Sequence, residues 1–260
     1  MNDNPVLFLY HIPKTGGTSL REAMSGVLGF NEGFIHVGPY GDRVRQEKNL
    51  KSLDRYRPEE LAGIRVISGH YLSFRHERYF PGRTILRAIL LREPAARILS
   101  QYNHAMRNRA KLGEKPVEFR EWYQRLAVTA FDWPRLSGRK LSLSDKKFAI
   151  SSVGNNYMSK FILDAMGDTD YPELTEDELV RRVNRVLDGF WHVGCIERLA
   201  PSIARLEDFL GEKLDVGTRN KTGNFSFSRL ARHRKMDTAL QDYLIGENRA
   251  DYSIYNTWCK

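Results

Sequence analysis

Cysteine is nearly absent from this chain, because its 260 residues include only Cys195 and Cys259. The two form no Cys-x-x-Cys motif, and their separation matches neither a zinc site nor the framework of a disulfide-rich domain. We therefore expect two reduced or buried thiols and no metal ligation by cysteine. A small disulfide scaffold and a zinc-finger protein are both excluded.

Long apolar runs are also lacking. No stretch approaches the roughly 20 apolar residues that a membrane-spanning helix requires. Residues 1–4, ahead of the first apolar run, are too short and lack the basic flank of a signal peptide. The sequence thus predicts a cytoplasmic protein without a membrane span, unless an anchor lies outside this sequence.

Acidic residues are outnumbered: 32 Asp and Glu stand against 41 Lys and Arg, for a net charge of +9. This balance favours anionic partners such as nucleotides, acidic glycans, nucleic acid or anionic lipid, although a basic solvated surface gives the same count. The chain is long enough for a full core, and no linker or repeat divides it. We expect one domain over residues 1–260.

Short apolar runs alternate with amphipathic segments along the chain. The apolar runs predict buried strands over residues 6–11, 64–68, 84–91 and 190–196. The periodic segments predict helices over residues 18–28, 94–108, 117–127, 146–166, 175–187, 197–210 and from about 228 onward. Residues 29–51 are mixed in character and are predicted to be loop with short elements. This alternation indicates an α/β fold, a single P-loop-type domain with a central, mostly parallel sheet flanked by helices and ligands at the carboxyl ends of its strands.

The most specific local pattern follows the first predicted strand and reads His11-Ile12-Pro13-Lys14-Thr15-Gly16-Gly17-Thr18-Ser19. A loop of this composition before a helix can direct several backbone N–H groups and a lysine at one anion. It is not a Walker A motif, in which the lysine follows the second glycine, because Lys14 precedes Gly16 and Gly17. The third strand ends in Arg92 rather than in an aspartate that could hold Mg²⁺. The pattern predicts a site for a phosphate- or sulfate-bearing ligand.

Two motifs together resemble those of the sulfotransferases that use 3′-phosphoadenosine 5′-phosphosulfate (PAPS). The loop at residues 11–19 resembles their 5′-phosphosulfate loop. The run Arg92-Glu93-Pro94-Ala95-Ala96-Arg97-Ile98-Leu99-Ser100-Gln101-Tyr102 resembles their 3′-phosphate motif, R-D-P-x-x-R-x-x-S-x-Y, and departs from it only at Glu93. We interpret Glu93 as a solvent-facing acid whose extra methylene changes little. The resemblance implies PAPS as the sulfuryl donor, with no metal required.

Further segments resemble the carbohydrate branch of that family, typified by heparan-sulfate 2-O-sulfotransferases. The segment Gly69-His70-Tyr71-Leu72-Ser73-Phe74 is similar to that branch's G-H-V-S-Y-x-x-F, whose histidine is the general base. Residues 193–199 and 206–211 resemble its late strand and helix, and Asn220-Lys221-Thr222 resembles its loop over the nucleotide. The implied acceptor is a hydroxyl, most simply on a glycan. Residues 29–60 and 109–145 match nothing specific, and acceptor specificity is expected to lie there.

The resemblance implies a role for each matching residue. Lys14, helped by the N–H groups of residues 16–19, stabilises charge on the leaving oxygen. Thr18 and Ser19 hold the 5′-phosphate, whereas Arg92 and Ser100 hold the 3′-phosphate. The whole set expected to bind the nucleotide is Lys14, Thr15, Gly16, Gly17, Thr18, Ser19, Arg92, Ser100, Asn220 and Lys221.

The candidate general base is His70, because a neutral imidazole with a pKa near ~6.5 accepts a proton at physiological pH. Glu22 is the second candidate, since some glycan sulfotransferases use a glutamate. We expect His11 to pack beneath the loop rather than to react. Arg97 is interpreted either as a support for the nucleotide or as an exposed helical arginine, and His36 receives no role.

Two other functions remain open at this point. A small-molecule kinase with a degenerate phosphate loop predicts magnesium-dependent binding of ATP. A basic protein that binds nucleic acid predicts steep salt dependence, although no motif for such binding is found. The basic run Arg229, Arg232, His233, Arg234 and Lys235 fits either phosphate or acidic-glycan binding, or a solvated helix face.

Overall fold

A five-stranded sheet with all strands parallel forms the centre of the protein. The computed structural model describes residues 4–38, 50–126, 155–168, 170–216 and 238–260. The strands are β1 (Val6–Tyr10), β2 (Phe34–Val37), β3 (Val66–Gly69), β4 (Ile85–Leu91) and β5 (His192–Cys195), in the order β2-β3-β1-β4-β5. This architecture confirms the predicted α/β class.

Helices connect and cover the strands. They are α1 (Gly17–Leu28), α2 (Pro58–Gly63), α3 (Pro94–Lys111), α4 (Phe119–Leu126), α5 (Tyr157–Ala165), α6 (Glu176–Asp188), α7 (Leu199–Leu210), α8 (Thr238–Glu247) and α9 (Arg249–Cys259). Short 3₁₀ turns lie at Lys51–Leu53, Phe74–Tyr79 and Tyr171–Glu173. The predicted helix over 146–166 is confirmed from Tyr157 onward, and residues 146–154 lie outside the described part of the chain. The predicted C-terminal helix is two helices, α8 and α9.

Strand β2 differs from the prediction of a loop with short elements over residues 29–51. It has only four residues and pairs in parallel with β3, with Phe34 opposite Val66 and Val37 opposite Gly69. Its extended conformation depends on this pairing, because Gly29 and Gly33 lie just before it and it has no alternating pattern of its own. The added strand puts a further carboxyl end beside that of β3.

Both faces of the sheet are covered, so every residue of β1 is buried. Val6, Phe8 and Tyr10 face a core that includes residues of α5, α6 and α9. Leu7 and Leu9 face the opposite core, built with α1 and α7. Each large apolar side chain buried in this way contributes about 1.5–3 kcal/mol, and the continuous apolar sequence of β1 follows from these two contacts.

Local signals at two helix ends are confirmed. Thr175 and Glu178 form the predicted capping box at the start of α6, in which the Glu178 N–H donates to Thr175 Oγ1 over 3.3 Å and the Thr175 N–H donates to Glu178 Oε2 over 3.0 Å. Helix α7 ends at Gly211, whose φ of 71° is the left-handed conformation that glycine adopts without strain.

The N-termini of α5 and α9 cap each other. Asn156 Oδ1 accepts the N–H groups of Ala250 and Asp251 over 3.0 and 3.2 Å. In return the carboxylate of Asp251 accepts the N–H groups of Met158 and Ser159 over 2.9 and 2.8 Å. All four bonds are buried, so this reciprocal capping fixes α9 against α5.

Cys195 and Cys259 form a disulfide, with their Cα atoms 5.7 Å apart and a separation of 64 positions in sequence. The expectation of two reduced or buried thiols is therefore wrong about their oxidation state, although both residues are buried. The pairing depends on α9 packing against the carboxyl end of β5, and spacing in the sequence does not reveal such packing. Among the described residues, no helix has both the length and the apolar character to cross a membrane.

Candidate functional site

Residues singled out in the sequence meet at the carboxyl edge of the sheet. The 11–19 loop follows β1, Gly69 and His70 end β3, and Arg92 follows β4. Since β1 lies between β3 and β4, these three ends are direct neighbours. They form one crevice of the kind in which open α/β sheets bind their ligands.

The loop after β1 has two residues in the left-handed backbone conformation, one of which is not a glycine. Lys14 has a φ of 72° and Gly16 a φ of 79°, both in the left-handed region. A lysine in that region costs about 1–2 kcal/mol, so the surrounding structure must hold it there. Thr15 is buried, and its hydroxyl donates to the main-chain oxygen of Ile12 over 2.9 Å. The loop is thus a tight turn with Lys14 at its apex.

Both glycines of the loop are required sterically. A Cβ atom on Gly16 would overlap the side chain of Ile196, which follows β5, and a Cβ on Gly17 would overlap the ring of His11. His11 is 5% exposed, so it packs beneath the loop as expected from the sequence. This close approach packs the backbone of the loop directly against Ile196 and His11.

Helix α1 begins at the end of this loop. Its N-cap is Gly16, which has no side chain to cap the helix, and its first turn contains no acidic residue. Thr18 is exposed and Ser19 is half-buried. The N–H groups and positive dipole end of such a helix make a site for an anion.

Arg92 joins the end of β4 to the loop. Its Nη1 atom donates to the main-chain oxygen of Lys14 over 2.9 Å. The Nε atom of Arg92 is buried and has no hydrogen-bond partner among the described residues. Burial lowers the pKa of Arg92 and also that of Lys14, and the charges of Arg107 and Arg92 lower the Lys14 pKa further. These two cations therefore lie together in a poorly solvated place that favours an anion.

Helix α3 turns one polar face toward Lys14. Ser100, His104 and Arg107 are three to four residues apart and so share that face. The Asn108 amide donates to His104 Nε2 over 3.2 Å. Partial burial, with the charges of Lys14 and Arg107, lowers the pKa of His104 to about 4. Ser100, half-buried, stands one turn nearer Arg92 on this face.

Glu93 is not the solvent-facing acid that the sequence suggested. It is half-buried and caps α3, with its carboxylate accepting the N–H groups of Ala95 and Ala96 over 3.2 and 2.6 Å. Tyr252 donates its hydroxyl to the same carboxylate over 2.6 Å. Because Tyr252 lies 159 residues away, the motif alone does not indicate this contact. The acid at this position shapes the helix start that directly follows Arg92.

His70 lies half-buried beside His11, with ring centroids 4.0 Å apart. Its Nδ1 atom is 2.7 Å from the main-chain oxygen of His11. A carbonyl oxygen only accepts hydrogen bonds, so neutral His70 must carry its hydrogen on Nδ1. The Nε2 atom then carries the lone pair, which a general base needs.

His36 is the site residue to which sequence analysis gave no role. It lies on β2, opposite Ser68 of β3. The centroid of its ring is 6.5 Å from that of the His70 ring, and the two ring planes are at 80° to each other. Burial, with the charges of Arg21 and His70, lowers the pKa of His36 to about 4, and burial lowers the pKa of His11 well below its ordinary value. Because the sequence did not predict β2, it did not indicate that His36 lies near His70. A search for short strands that could pair beside Gly69 would have found it.

The remaining candidates have these positions. Glu22 is exposed on α1, and its sequence neighbour Arg21 is the residue whose charge acts on His36. Arg97 is fully buried, with its guanidinium over the Tyr157 ring at 4.7 Å, so it is not an exposed helical arginine. Asn220, Lys221 and the basic run 229–235 lie outside the described residues.

Among the described residues, no group of three or more His, Cys, Asp or Glu side chains has the arrangement of a metal site. The model of the sulfotransferase family matches residues 1–150 of this chain. That segment contains the loop after β1, His70, Arg92 and Ser100. Comparison with curated proteins gives no match.

Proposed function

The chain belongs to the sulfotransferase family, and from that premise we propose that it moves a sulfuryl group from PAPS to a hydroxyl of a carbohydrate. The observation that carries this proposal is the 2.9 Å hydrogen bond from Arg92 to the main chain of Lys14. It joins the two segments that resemble the two phosphate motifs of PAPS-dependent enzymes. The proposal treats residues 1–260 as one catalytic domain.

The residues at the crevice suit a donor with phosphate groups at two ends. At one end, the glycine loop and the N-terminus of α1, which has no side-chain cap, offer main-chain N–H groups to the 5′-phosphate. Thr18 and Ser19 add their hydroxyls there. At the other, Arg92 has a buried Nε atom without a described partner, and Ser100 adds a hydroxyl for the 3′-phosphate. The family resemblance adds Asn220 and Lys221, which lie outside the described residues, to the proposed nucleotide site.

PAPS supplies the sulfuryl group, and the protein supplies charge stabilisation and a base. Lys14 stabilises negative charge on the leaving phosphate oxygen, together with the N–H groups of residues 16–19. Its pKa is lowered from the ordinary value of 10.5, which brings the ammonium nearer to proton donation than a solvated lysine.

His70 takes the proton from the acceptor hydroxyl through Nε2. The hydrogen bond from Nδ1 to the His11 carbonyl holds the ring in the required tautomer and orientation. His11 and His36 both have lowered pKa values, so both stay neutral near pH 7. Base catalysis of this kind accelerates transfer by about 10²–10⁴-fold.

The test is transfer of label from [³⁵S]PAPS to a panel of glycans and small hydroxyl compounds. His70→Gln should lose about 10²–10⁴-fold in kcat while it still binds 3′-phosphoadenosine 5′-phosphate (PAP). Glu22→Gln is the matched control, because it tests the second candidate base, and it should retain activity. Full activity in folded His70→Gln would remove His70 from the role, and labelling confined to non-carbohydrate acceptors would remove the glycan.

A further inference from the structure

Three residues on one face of α9 reach the segment around the proposed nucleotide site. Tyr252, Tyr255 and Cys259 are spaced by three and four residues, so they project from the same side of the helix. They contact the start of α3 and the segment that follows β5. We call Tyr252, Tyr255 and Cys259 the α9 face.

Tyr252 supports the helix cap beside Arg92. Its hydroxyl donates to Glu93 Oε1 over 2.6 Å, and Glu93 in turn accepts the first N–H groups of α3. Arg92 is the residue directly before this cap. A shift of the Glu93 carboxylate therefore displaces the backbone from which the Arg92 side chain extends.

Tyr255 acts on the same segment, around Glu93, through a second carboxylate, that of Glu197. Its hydroxyl lies close enough to the carboxylate of Glu197 for that negative charge to raise the pKa of the tyrosine, and Glu197 Oε1 accepts the main-chain N–H of Glu93 over 3.0 Å. The negative charges of Glu197 and Glu93 both favour the charged guanidinium of Arg92. One helix thus brings a tyrosine to each of the two carboxylates near Arg92.

Cys259 adds a covalent link to these hydrogen bonds. Its disulfide partner Cys195 ends β5, two residues before Glu197. The Arg198 guanidinium donates to the main-chain oxygen of Cys259. The segment that bears Glu197 is therefore tied to α9 on both sides of that residue, at Cys195 and at Arg198.

The tyrosine hydroxyls remain hydrogen-bond donors over the whole physiological pH range. Burial raises the pKa of Tyr252 above its ordinary value, with a further increase from Glu93, and burial together with Glu197 raises that of Tyr255 to about 12. The bond from Tyr252 to the Glu93 carboxylate is of the charge-assisted kind, which is stronger than a neutral hydrogen bond.

We propose that Tyr252 and Tyr255 are positioning residues for Arg92, so that the C-terminal helix sets how strongly the enzyme holds the 3′-phosphate of its nucleotide. This inference rests on the proposed function, in which Arg92 binds that phosphate. Neither tyrosine touches the nucleotide. They act through Glu93 and Glu197, and the effect is specific to ligands that carry a 3′-phosphate.

The experiment compares calorimetric affinities for PAP and for adenosine 5′-phosphate, which lacks the 3′-phosphate. Tyr252→Phe and Tyr255→Phe should each weaken PAP roughly three- to thirtyfold, with adenosine 5′-phosphate unchanged. KM for PAPS should rise while kcat is retained. In an Arg92→Ala background, neither change should have a further effect on PAP, since the residue being positioned is gone. Tyr79→Phe is the matched control, because Tyr79 also donates to a carboxylate, that of Asp54, at a different place.

The outcomes separate the two proposals. If wild-type protein does not prefer PAP to adenosine 5′-phosphate, the proposed nucleotide site is wrong and the positioning role falls with it. If the preference exists and Arg92→Ala removes it, but Tyr252→Phe and Tyr255→Phe keep it, only the positioning role is wrong. An equal loss of both ligands in the tyrosine variants means a general structural effect and also overturns the inference.

Discussion

The guanidinium of Arg92 donates a hydrogen bond to the main-chain oxygen of Lys14, 78 residues earlier in the chain, over 2.9 Å. This contact joins the carboxyl ends of β1 and β4, which are neighbours in the sheet. It also brings two cations together in a partly buried place, and burial lowers the pKa of both. A dianionic ligand is the simplest partner for such a pair.

Replacement of Arg92 tests the 3′-phosphate end of the site. Arg92→Ala should weaken PAP roughly ten- to 150-fold, because a hydrogen bond to a charged group contributes about 1.5–3 kcal/mol. Calorimetry measures the change. Arg109→Ala is the matched control on α3, where Arg109 pairs with Glu114 over 3.0 Å instead, and it should bind PAP as the wild type does. Equal losses in the two variants would contradict the assignment.

Glycine replacements test the loop conformation. Gly17→Ala should destabilise the fold and weaken PAP, because the new Cβ overlaps the His11 ring beneath the loop. Gly26→Ala lies in the same helix with open space around it, and it should stabilise the protein by about 0.5–1 kcal/mol through helix propensity. Urea unfolding measures both changes. A stable Gly17→Ala that binds PAP normally would show that the close contact with His11 is not required.

Part of the site follows from local sequence, and part does not. The loop after β1 and the start of α3 were predictable because glycine, proline and a basic residue at a strand end act within a few residues. Strand β2 depends on pairing with β3, so the proximity of His36 to His70 was missed. The contact of Glu93 with Tyr252 is tertiary, as is the disulfide, and no spacing rule reveals either of them.

Acid should destabilise the protein through its buried histidines. His36 has a pKa of about 4 in the fold, whereas an unfolded histidine has one near ~6.5. Between these values the unfolded chain binds more protons, so the free energy of unfolding falls as the pH drops from about 6.5 toward about 4. His11 acts in the same direction. In urea unfolding near pH 7 and pH 5, the free energy of unfolding of His36→Gln should fall less than that of wild type. An identical fall would argue against a half-buried, neutral His36.

The disulfide leads to two predictions, one about the number of free thiols and one about the free energy of unfolding. Titration of thiols in the denatured protein should find no free thiol, since Cys195 and Cys259 are the only cysteines. The double variant Cys195→Ala with Cys259→Ala should lose about 4 kcal/mol, the loop-closure contribution expected for a 64-residue separation. Two titratable thiols in native protein would contradict the pairing. They would instead agree with the cytoplasmic location expected from sequence, because disulfides are rare in reducing compartments.

The central claim is that the crevice above β1, β3 and β4 holds a nucleotide with phosphates at its 3′ and 5′ ends and needs no metal to do so. Calorimetric titration of wild-type protein with PAP in the presence of a chelator, and with ATP plus Mg²⁺, tests it directly. We predict that PAP binds without metal, and more tightly than ATP with Mg²⁺. Binding of ATP that requires Mg²⁺ and exceeds that of PAP would contradict it.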